Sequence, residues 1–290
     1  MAEYAAITGW GKCIPPAILT NDAIATIIDT SDEWIRTRSG IRQRRISHVP
    51  GSDLAAVAAQ RAIAAAGISV EDVDLLIVAT CTPDTVIPST AAHVQRKIAA
   101  SNAAVFDLNA GCSGFIYSLS VATAMIRSGA YKKALVIGSE RITWFLSWAS
   151  RDTAVLFGDG AGAVVVEPSN AESGLLYSHL GCEGEAASAL QIPNFGTAGN
   201  RFVENYSVFE IQFDGREIFR RAVKGMAREI KIVLEKLGLG NDDIDLIIPH
   251  QANLRIIESL AKHLSVDMAK VEVNIQNYGN TSAATIPVAM

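Results

Sequence analysis

A short segment of this chain occurs twice, 171 residues apart, and this repeat constrains the fold more than any other feature. Residues 67–78 read GISVEDVDLLIV, and residues 238–249 read GLGNDDIDLIIP. In each copy a helical pattern ends at a glycine, an acidic turn follows, and an apolar strand begins. The same offset carries Asn109 onto Asn280, and each asparagine opens a polar turn before an apolar stretch. We therefore predict a duplicated α/β unit.

Helical and strand-like stretches alternate along the whole chain, which predicts an α/β fold of two duplicated halves whose mixed sheets are covered by helices on both faces. The halves are placed at residues 1–170 and 171–290. In the first half, strands are predicted at 5–9, 75–80, 104–108, 134–139 and 161–166, and helices at 53–66, 90–100 and 114–128. In the second half, strands are predicted at 175–181, 208–213, 246–249 and 271–274, and helices at 215–237 and 254–264.

The repeat also predicts a length. The first copy continues through a helix and two strands to about Glu167, whereas the second copy ends at Met290, close to the start of the matching helix. A complete second copy would extend about 48 residues further. The second half is therefore expected to be incomplete.

Composition argues against several classes of protein. The chain has 290 residues, of which 49% are hydrophobic, so it can bury a large core. Its net charge of −5 argues against nucleic acid as a partner. No apolar run reaches the length of a membrane span, and the N-terminus lacks the basic start of a signal peptide. The four cysteines form no CxxC pair or zinc-like spacing, so we expect no metal site and a reducing cytoplasm.

Cys112 lies in the segment VFDLNAGCSGFIYSL, where an apolar strand turns into a helix. Unpaired N–H groups and the positive end of the dipole at a helix N-terminus favour a thiolate. Glycines at positions 111 and 114 permit a tight turn and the close approach of a substrate. A buried structural cysteine among small residues fits this motif about equally well.

His250 and Asn280 are the second-half candidates for a site with Cys112. His250 directly follows the apolar stretch 246–249, so it is placed at the carboxyl end of a strand, where open α/β sheets bind ligands. A lone histidine is usually structural, and asparagine is an ordinary helix N-cap. The repeat, however, places Asn280 at the position of Asn109, three residues before Cys112. Two helix N-termini directed at one point would bring the three side chains together.

Five segments, in this order along the chain, carry a family resemblance: DTSDEWIRTRSGIRQRR, NAGCSGF, FGDGAGA, PHQANLRI and YGNTSAA. Together they resemble β-ketoacyl-acyl-carrier-protein synthase III, an acyltransferase of the thiolase fold (layered αβαβα) that starts bacterial fatty-acid synthesis. The resemblance implies condensation of an acyl-CoA primer with malonyl-acyl-carrier protein, with decarboxylation. Cys112 would be the acylated nucleophile, and His250 and Asn280 would stabilise the enolate. Coenzyme A would enter as a thioester substrate, so the resemblance implies neither a cofactor nor a metal.

The resemblance also assigns residues that bind the acyl-CoA. Its coenzyme A contacts are Thr30, Trp34, Arg38, Arg151 and Asn253. Trp34 would stack on the adenine, Arg151 would close the other face of that ring, and Thr30 and Arg38 would lie near the phosphates. Asn253 is similar to the pantetheine contact of the family, and Phe157 would line the active-site pocket. The alternative for Trp34 is a structural role as the anchor of a surface loop.

The carrier protein is acidic, so the resemblance implies a basic docking surface. Basic residues recur every four positions along the predicted helix 215–237 and form a stripe on one of its faces, at Arg216, Arg220, Lys224 and Arg228. Arg255 and Lys262, on the next predicted helix, resemble further members of the family's docking surface. The alternative is a solvated helix face whose basic residues pair with Glu217 and Glu229.

Two departures from the family pattern lead to expectations. Short-primer members carry a bulky aromatic residue where this chain has Ile87, in a loop that reaches into the acyl pocket of the partner subunit of a homodimer. The smaller Ile87 predicts acceptance of primers longer or more branched than acetyl. The family also continues beyond Met290 through a Gly-rich loop that supplies an N–H group to the oxyanion hole. Without that donor, acylation is expected to lose about 3 kcal/mol of stabilisation.

Other functions stay open on the sequence alone. One is a truncated, non-catalytic synthase that acts as a binding or dimerising module, and another is a thiolase-fold condensing enzyme of specialised metabolism. A degradative thiolase is disfavoured by the PHQANLRI and YGNTSAA segments. A Cys-His-Asn hydrolase is disfavoured because it would leave the coenzyme A and carrier-protein features without a role.

Overall fold

The structure, a computed structural model, describes residues 4–171, 173–193, 196–197 and 209–290. Its strands are β1 (Tyr4–Cys13), β2 (Ala17–Thr20), β3 (Gln43–Ile46), β4 (Leu75–Ala79), β5 (Ala104–Leu108), β6 (Ala134–Glu140), β7 (Gly160–Ser169), β8 (Leu190–Gln191) and β9 (Gln212–Phe213). Its α-helices are α1 (Asn21–Ala25), α2 (Asp32–Ser39), α3 (Gly51–Ala66), α4 (Thr90–Ile98), α5 (Gly114–Arg127), α6 (Arg151–Ala154), α7 (Gly215–Leu237), α8 (Leu254–Leu264), α9 (Ile275–Tyr278) and α10 (Thr285–Ala289). Within the described ranges, no helix combines the length and the apolar character needed to cross a bilayer.

Five strands form one mixed sheet in the order β1-β7-β6-β4-β5. β7 runs antiparallel to both of its neighbours, β1 and β6, whereas β6 and β5 both run parallel to β4. Because β4, β5 and β6 are parallel, their carboxyl ends meet at one edge of the sheet, which is the edge where open α/β sheets bind ligands. The sheet confirms the five strands predicted for the first half.

The central strands are buried on both faces, as their continuous apolar sequences predict. In β4, Leu76 and Val78 pack into the core that contains the residues of α3, while Leu75 and Ile77 pack into the core that contains those of α5. The alternation places α3 on one face of the sheet and α5 on the other. This arrangement fixes the start of α5 beside the carboxyl ends of β4 and β5.

The described residues form no second sheet from the four segments predicted for it, 175–181, 208–213, 246–249 and 271–274. Of the segment 208–213 only β9 is a strand, and residue 208 lies outside the described residues. The last two segments meet in a single parallel bridge between Ile247 and Val271. Among the described residues, the prediction of second-half strands is therefore confirmed only at β9 and at this bridge, and it is wrong for the rest.

The bridge between Ile247 and Val271 does not extend into a ladder, for a local reason. Pro249 has no N–H group to donate to a neighbouring strand. The side chain of Gln251 instead bonds to the backbone that follows Val271. Its Nε2 donates to the Glu272 carbonyl at 3.0 Å, and its Oε1 accepts from the Asn274 N–H at 3.0 Å. Side-chain hydrogen bonds thus replace the backbone bonds that a longer strand would make.

The two copies of the repeated segment adopt the same local structure. α3 and α7 both end at a glycine in the left-handed conformation, Gly67 with φ 67° and Gly238 with φ 69°, and a 3₁₀ turn follows each. The turns at Asn109 and Asn280 also correspond, because each leads through a 3₁₀ turn into a helix. The repeat therefore predicts local geometry correctly, while the division into two domains stays a prediction.

Glycines in β6 and β7 allow the last residues of the second half to lie against the sheet. A Cβ atom at Gly138 would lie 2.4 Å from the carbonyl oxygen of Ala283, and one at Gly162 would lie 2.6 Å from the backbone of Pro287. Both distances are far below van der Waals contact, so a side chain at either position would push this segment away from the sheet. These glycines therefore hold the Asn280 turn and α10 close to the strand ends.

Candidate active site

Cys112 lies in the connection between β5 and α5, as the sequence predicts. Gly111 has φ 54°, a left-handed conformation that glycine adopts without strain, and Cys112 follows it in a 3₁₀ turn just before α5 begins at Gly114. A Cβ atom on Gly114 would lie 3.2 Å from the Cβ of Ala79 and 3.6 Å from that of Ala283. The nucleophile candidate is therefore held between the end of β4 and the second-half turn.

The surroundings of Cys112 keep it protonated. Burial raises the pKa of its thiol to about 11; the Ser282 hydroxyl opposes this rise, and the Glu140 carboxylate adds to it. Burial thus opposes the thiolate that the helix N-terminus is expected to favour, because it disfavours the charged form. Cys112 begins its chemistry as a thiol.

His250 directly follows the segment 246–249, which contains the bridge residue Ile247, and it is neutral at physiological pH. Its Nδ1 lies 2.6 Å from the Thr285 hydroxyl oxygen, and burial lowers its pKa to about 4. A neutral imidazole has one N–H donor and one acceptor nitrogen. This N–H group can donate a hydrogen bond to a developing oxyanion even though the imidazole ring carries no positive charge.

This lowered pKa predicts that the protein loses stability in acid. The unfolded histidine titrates near 6.5 and the folded one near 4, so the unfolded state binds more protons between these values. Stability that is fully present above pH 6.5 is therefore lost as the pH falls towards 4, by about 3 kcal/mol in all. Urea unfolding at pH 7.0 and 4.5 measures the loss, with His250→Gln as the matched control. Carboxylates titrate in both proteins, so equal losses would contradict the assignment.

The backbone of Asn280 is paired with the strand-like segment around Phe157. Its N–H donates to the Leu156 carbonyl at 2.9 Å, and its carbonyl accepts from the Gly158 N–H at 3.0 Å. Its side-chain Oδ1 accepts from the Ser282 N–H at 2.9 Å. Because Oδ1 is engaged, the Nδ2 group is the one left to donate, and it has no partner within the described part of the chain.

Two cavities meet at Cys112. One has a volume of about 440 Å³ and is lined by Cys112 together with Phe157 and Ser282. The other has a volume of about 510 Å³ and is lined by Cys112 together with His250. Asn280 is not in either lining, but its side chain accepts a hydrogen bond from the backbone of Ser282, which lines the first cavity. The structure thus places Cys112 and His250 on one cavity, and the turn that contains Asn280 and Ser282 beside the other.

Glu140, a buried carboxylate at the end of β6, is a site residue that sequence reasoning missed. It is 0% exposed, and burial raises its pKa. Its two oxygens accept hydrogen bonds from the hydroxyls of Thr80, Thr82 and Ser282, from the Cys81 thiol, and from the backbone N–H groups of Cys81 and Ala283. No cation pairs with it among the residues that the structure describes.

Glu140 fixes the turn that orients Asn280. Ser282 has φ 51°, a left-handed conformation that is uncommon for serine, and its hydroxyl donates to Glu140 at 3.0 Å. The backbone N–H of Ser282 in turn holds the Asn280 side chain. A sequence signal existed: Glu140 ends an apolar strand predicted to run to Ser139, the same kind of position that identified His250.

Three of the residues predicted to bind coenzyme A lie in contact with one another. The guanidinium carbons of Arg38 and Arg151 lie 4.5 Å and 4.4 Å from the centre of the Trp34 ring, within the range of a cation–π contact. Arg151 also donates to the Asp29 carbonyl at 3.2 Å. The three side chains form one cluster, and their role in binding coenzyme A stays a prediction.

Thr30 and Asn253 differ in how their polar groups are used. Thr30 Oγ1 is buried and has no hydrogen-bond partner in the described ranges. Asn253 is the N-cap of α8: its Oδ1 accepts from the Arg255 N–H at 2.9 Å, and its Nδ2 donates to the Arg38 carbonyl at 3.0 Å. Asn253 therefore has the ordinary capping role, and its contact with pantetheine stays a prediction.

All six basic residues predicted to dock the carrier protein are exposed on α7 and α8, at Arg216, Arg220, Lys224, Arg228, Arg255 and Lys262. Arg220 forms an ion pair with Glu217 at 2.8 Å, and Arg228 pairs with Glu229 at 2.9 Å and with Glu183 at 3.3 Å. For Arg220 and Arg228, the structure therefore agrees with the alternative, a solvated helix face whose basic residues form ion pairs. In the described part of the chain, the other four form no ion pair.

Phe157 and Ile87, both assigned to the acyl pocket, lie in different places. Phe157 is 3% exposed and lines the 440 Å³ cavity with Cys112, as predicted. Ile87 is 87% exposed and is not part of that lining. A role for Ile87 in an acyl pocket therefore requires a second copy of the chain.

Comparison with known proteins gives the same family for both halves. The model for 3-oxoacyl-[acyl-carrier-protein (ACP)] synthase III matches residues 106–184, and the model for its C-terminal part matches residues 234–290. The beta-ketoacyl-[acyl-carrier-protein] synthase III 2 of Vibrio vulnificus (strain YJ016) is 54% identical over 287 residues, which are 99% of this chain and 79% of the relative. The beta-ketoacyl-[acyl-carrier-protein] synthase III of Roseiflexus castenholzii is 48% identical over 296 residues, covering 100% of this chain and 89% of the relative.

Solved structures agree over nearly the whole chain. The crystal structure of 3-oxoacyl-[acyl-carrier-protein] synthase III from Aquifex aeolicus VF5 has a TM-score of 0.92 and 44% identity, and the match covers 98% of this chain and 89% of that one. This agreement confirms the predicted thiolase fold, while the expectation that the second half is incomplete stays a prediction. The chain belongs to the β-ketoacyl-acyl-carrier-protein synthase III family.

Proposed function

We propose that this protein is an acyltransferase that condenses an acyl-CoA primer with malonyl-acyl-carrier protein, and so starts fatty-acid synthesis in the cytoplasm. The observation that carries the proposal is the placement of Cys112 and His250 on one cavity, with the Asn280 turn beside the adjoining one, in a chain that is 54% identical to a named synthase. Both halves of the chain contribute to this site, so it depends on the complete arrangement of strand ends and turns.

In the first step, the Cys112 sulfur attacks the thioester carbonyl of the acyl-CoA. The carbon–sulfur bond to coenzyme A breaks, and the thiol proton ends on the departing coenzyme A. Because the pKa of Cys112 is about 11, this proton leaves as the attack proceeds rather than beforehand. The product is an acyl thioester on Cys112.

In the second step, malonyl-acyl-carrier protein loses CO₂, and the electron pair of the broken bond forms an enolate. Its oxygen accepts hydrogen bonds from the neutral His250 ring and from Nδ2 of Asn280. The enolate carbon then attacks the acyl group, and the Cys112 thiolate leaves and takes up one proton. The products are β-ketoacyl-acyl-carrier protein, CO₂ and the free thiol.

The cluster of Trp34, Arg38 and Arg151 supports an adenine site on the surface. Adenine would replace one of the arginines on the Trp34 ring. We expect Trp34→Ala to raise the KM for acyl-CoA about 10-fold with little change in kcat, since stacking on a base contributes about 1–3 kcal/mol. Steady-state kinetics with varied acyl-CoA measure this, and Trp10→Ala, at an exposed tryptophan of β1, is the control. An unchanged KM in Trp34→Ala would contradict the assignment.

The exposed basic residues of α7 and α8 support docking of the acidic carrier protein. Arg255 is an informative member, since it is exposed and forms no ion pair in the described part of the chain. An Arg255→Glu variant should raise the KM for malonyl-acyl-carrier protein and leave acylation by acyl-CoA unchanged. Equal KM values in the variant and the unmodified protein would count against this surface.

The exposed loop at Ile87 supports a homodimer in which this side chain reaches the acyl pocket of the partner. Val86 and Trp144 nearby are 75% and 69% exposed, so the loop lies in an apolar patch. With isoleucine at this position, primers longer or more branched than acetyl would be accepted. Sedimentation equilibrium tests the dimer, and an acyl-chain screen in which acetyl-CoA is the only primer would exclude the wider pocket.

The experiment that tests the function is a condensation assay with purified malonyl-acyl-carrier protein and a series of acyl-CoA primers. Formation of β-ketoacyl-acyl-carrier protein, with release of CO₂ in equal amount, is the expected result. A folded protein that binds acyl-CoA but yields no product would instead support a non-catalytic binding module.

A further inference from the structure

The hydroxyl of Thr285 is the group that holds the ring of His250. Thr285 is 2% exposed, and its Oγ1 lies 2.6 Å from Nδ1 of His250. The residue begins α10, which is held on the sheet by the close contact of Pro287 with Gly162. The contact therefore ties the His250 ring to a rigid position on the sheet.

The direction of this hydrogen bond follows from what each partner can do. A threonine hydroxyl has one hydrogen to donate, and a buried hydroxyl that donates to nothing is unfavourable. In the part of the chain that the structure describes, His250 Nδ1 is the only hydrogen-bond partner of the Thr285 hydroxyl. The hydroxyl therefore donates, and Nδ1 accepts with its lone pair. In a neutral imidazole the proton then resides on Nε2.

We propose that Thr285 is a positioning residue that fixes His250 in the tautomer with its proton on Nε2, so that the ring presents an N–H group to the enolate oxygen. This inference rests on the proposed condensation. The other tautomer would present a lone pair to the same oxygen and would repel it. Thr285 thus acts on the second step and has no part in the acylation of Cys112.

The test compares Thr285→Val, which keeps the branched shape but removes the hydroxyl, with Thr285→Ser, which keeps the hydroxyl. We expect Thr285→Val to lower the condensation rate about 10- to 100-fold, the usual effect of removing a partner that orients a functional histidine through its other ring nitrogen. Acylation of Cys112 by acyl-CoA, followed by intact mass, should stay within about twofold of the unmodified protein. Thr285→Ser should restore condensation.

A ¹⁵N spectrum of the His250 ring gives a readout that a purely structural role would not change. The unmodified protein should show Nε2 protonated and Nδ1 unprotonated, and Thr285→Val should show a mixture of the two tautomers. Condensation at the normal rate in Thr285→Val, a parallel loss of acylation and condensation, or a protonated Nδ1 in the unmodified protein would each overturn the proposal. The spectrum of the unmodified protein needs neither a variant nor turnover, so it tests the tautomer even if the proposed condensation fails.

Discussion

Replacing His250 with alanine is expected to lower the rate of condensation about 10³-fold and to leave the acylation of Cys112 unchanged. In the proposed mechanism the neutral imidazole donates a hydrogen bond only to the enolate of the second step, so the first step would not use it. Intact mass measures acyl transfer to Cys112, and release of CO₂ from malonyl-acyl-carrier protein measures the second step.

His263→Ala is the matched control for His250→Ala, because His263 lies on the exposed side of α8 and away from both cavities. The control should keep both steps. If His250→Ala loses acylation and condensation to the same extent, the assignment of His250 to the second step alone is wrong. His250 would then act as the base for the Cys112 thiol.

Glu140→Gln is expected to lower the free energy of unfolding by about 3 kcal/mol. The buried carboxylate accepts hydrogen bonds from six donors, and a glutamine amide would direct N–H groups at some of these donors. The turn at Ser282 would lose its anchor, so condensation should fall as well. Urea unfolding measures the change, and Glu235→Gln, at an exposed carboxylate near the end of α7, is the control. A loss no larger than that of the control would show that Glu140 does not hold the turn.

Local sequence signals predict the first half of the fold well. The strands β4, β5 and β6 are short apolar runs, and α3 ends at Gly67, where a left-handed residue is needed to terminate the helix. These features depend on residues close together in sequence, so a pattern can identify them. The repeat then predicts that Asn280 occupies the position equivalent to Asn109 and therefore lies near Cys112.

Local pattern predicts a second sheet that the described residues do not form. The segment 246–249 is as apolar as β4, yet a strand requires a neighbour that can donate and accept along its whole length. Pro249 removes one donor, and the Gln251 side chain replaces backbone bonds at this edge. Whether an apolar run becomes a strand is thus decided by its partners in space.

The pKa values and the burial of individual side chains also could not be predicted from the sequence. Cys112 is at a helix start, as predicted, but its pKa depends on how closely protein surrounds the thiol, and that is a property of packing. Arg44 is another example: it lies in a basic, polar segment, yet it is 0% exposed and donates to the carbonyls of Leu19 and Val155 and to the side chain of Asn21. Such buried polar groups depend on contacts between distant residues.

In the proposed reaction, Cys112 carries the acyl group. The most direct test is the intact mass of the protein after incubation with acetyl-, isobutyryl- and octanoyl-CoA, alongside a Cys112→Ala variant. We expect an increase by one acyl group in the unmodified protein and none in the variant. An adduct of equal yield in Cys112→Ala, or no adduct in a folded unmodified protein, would contradict it.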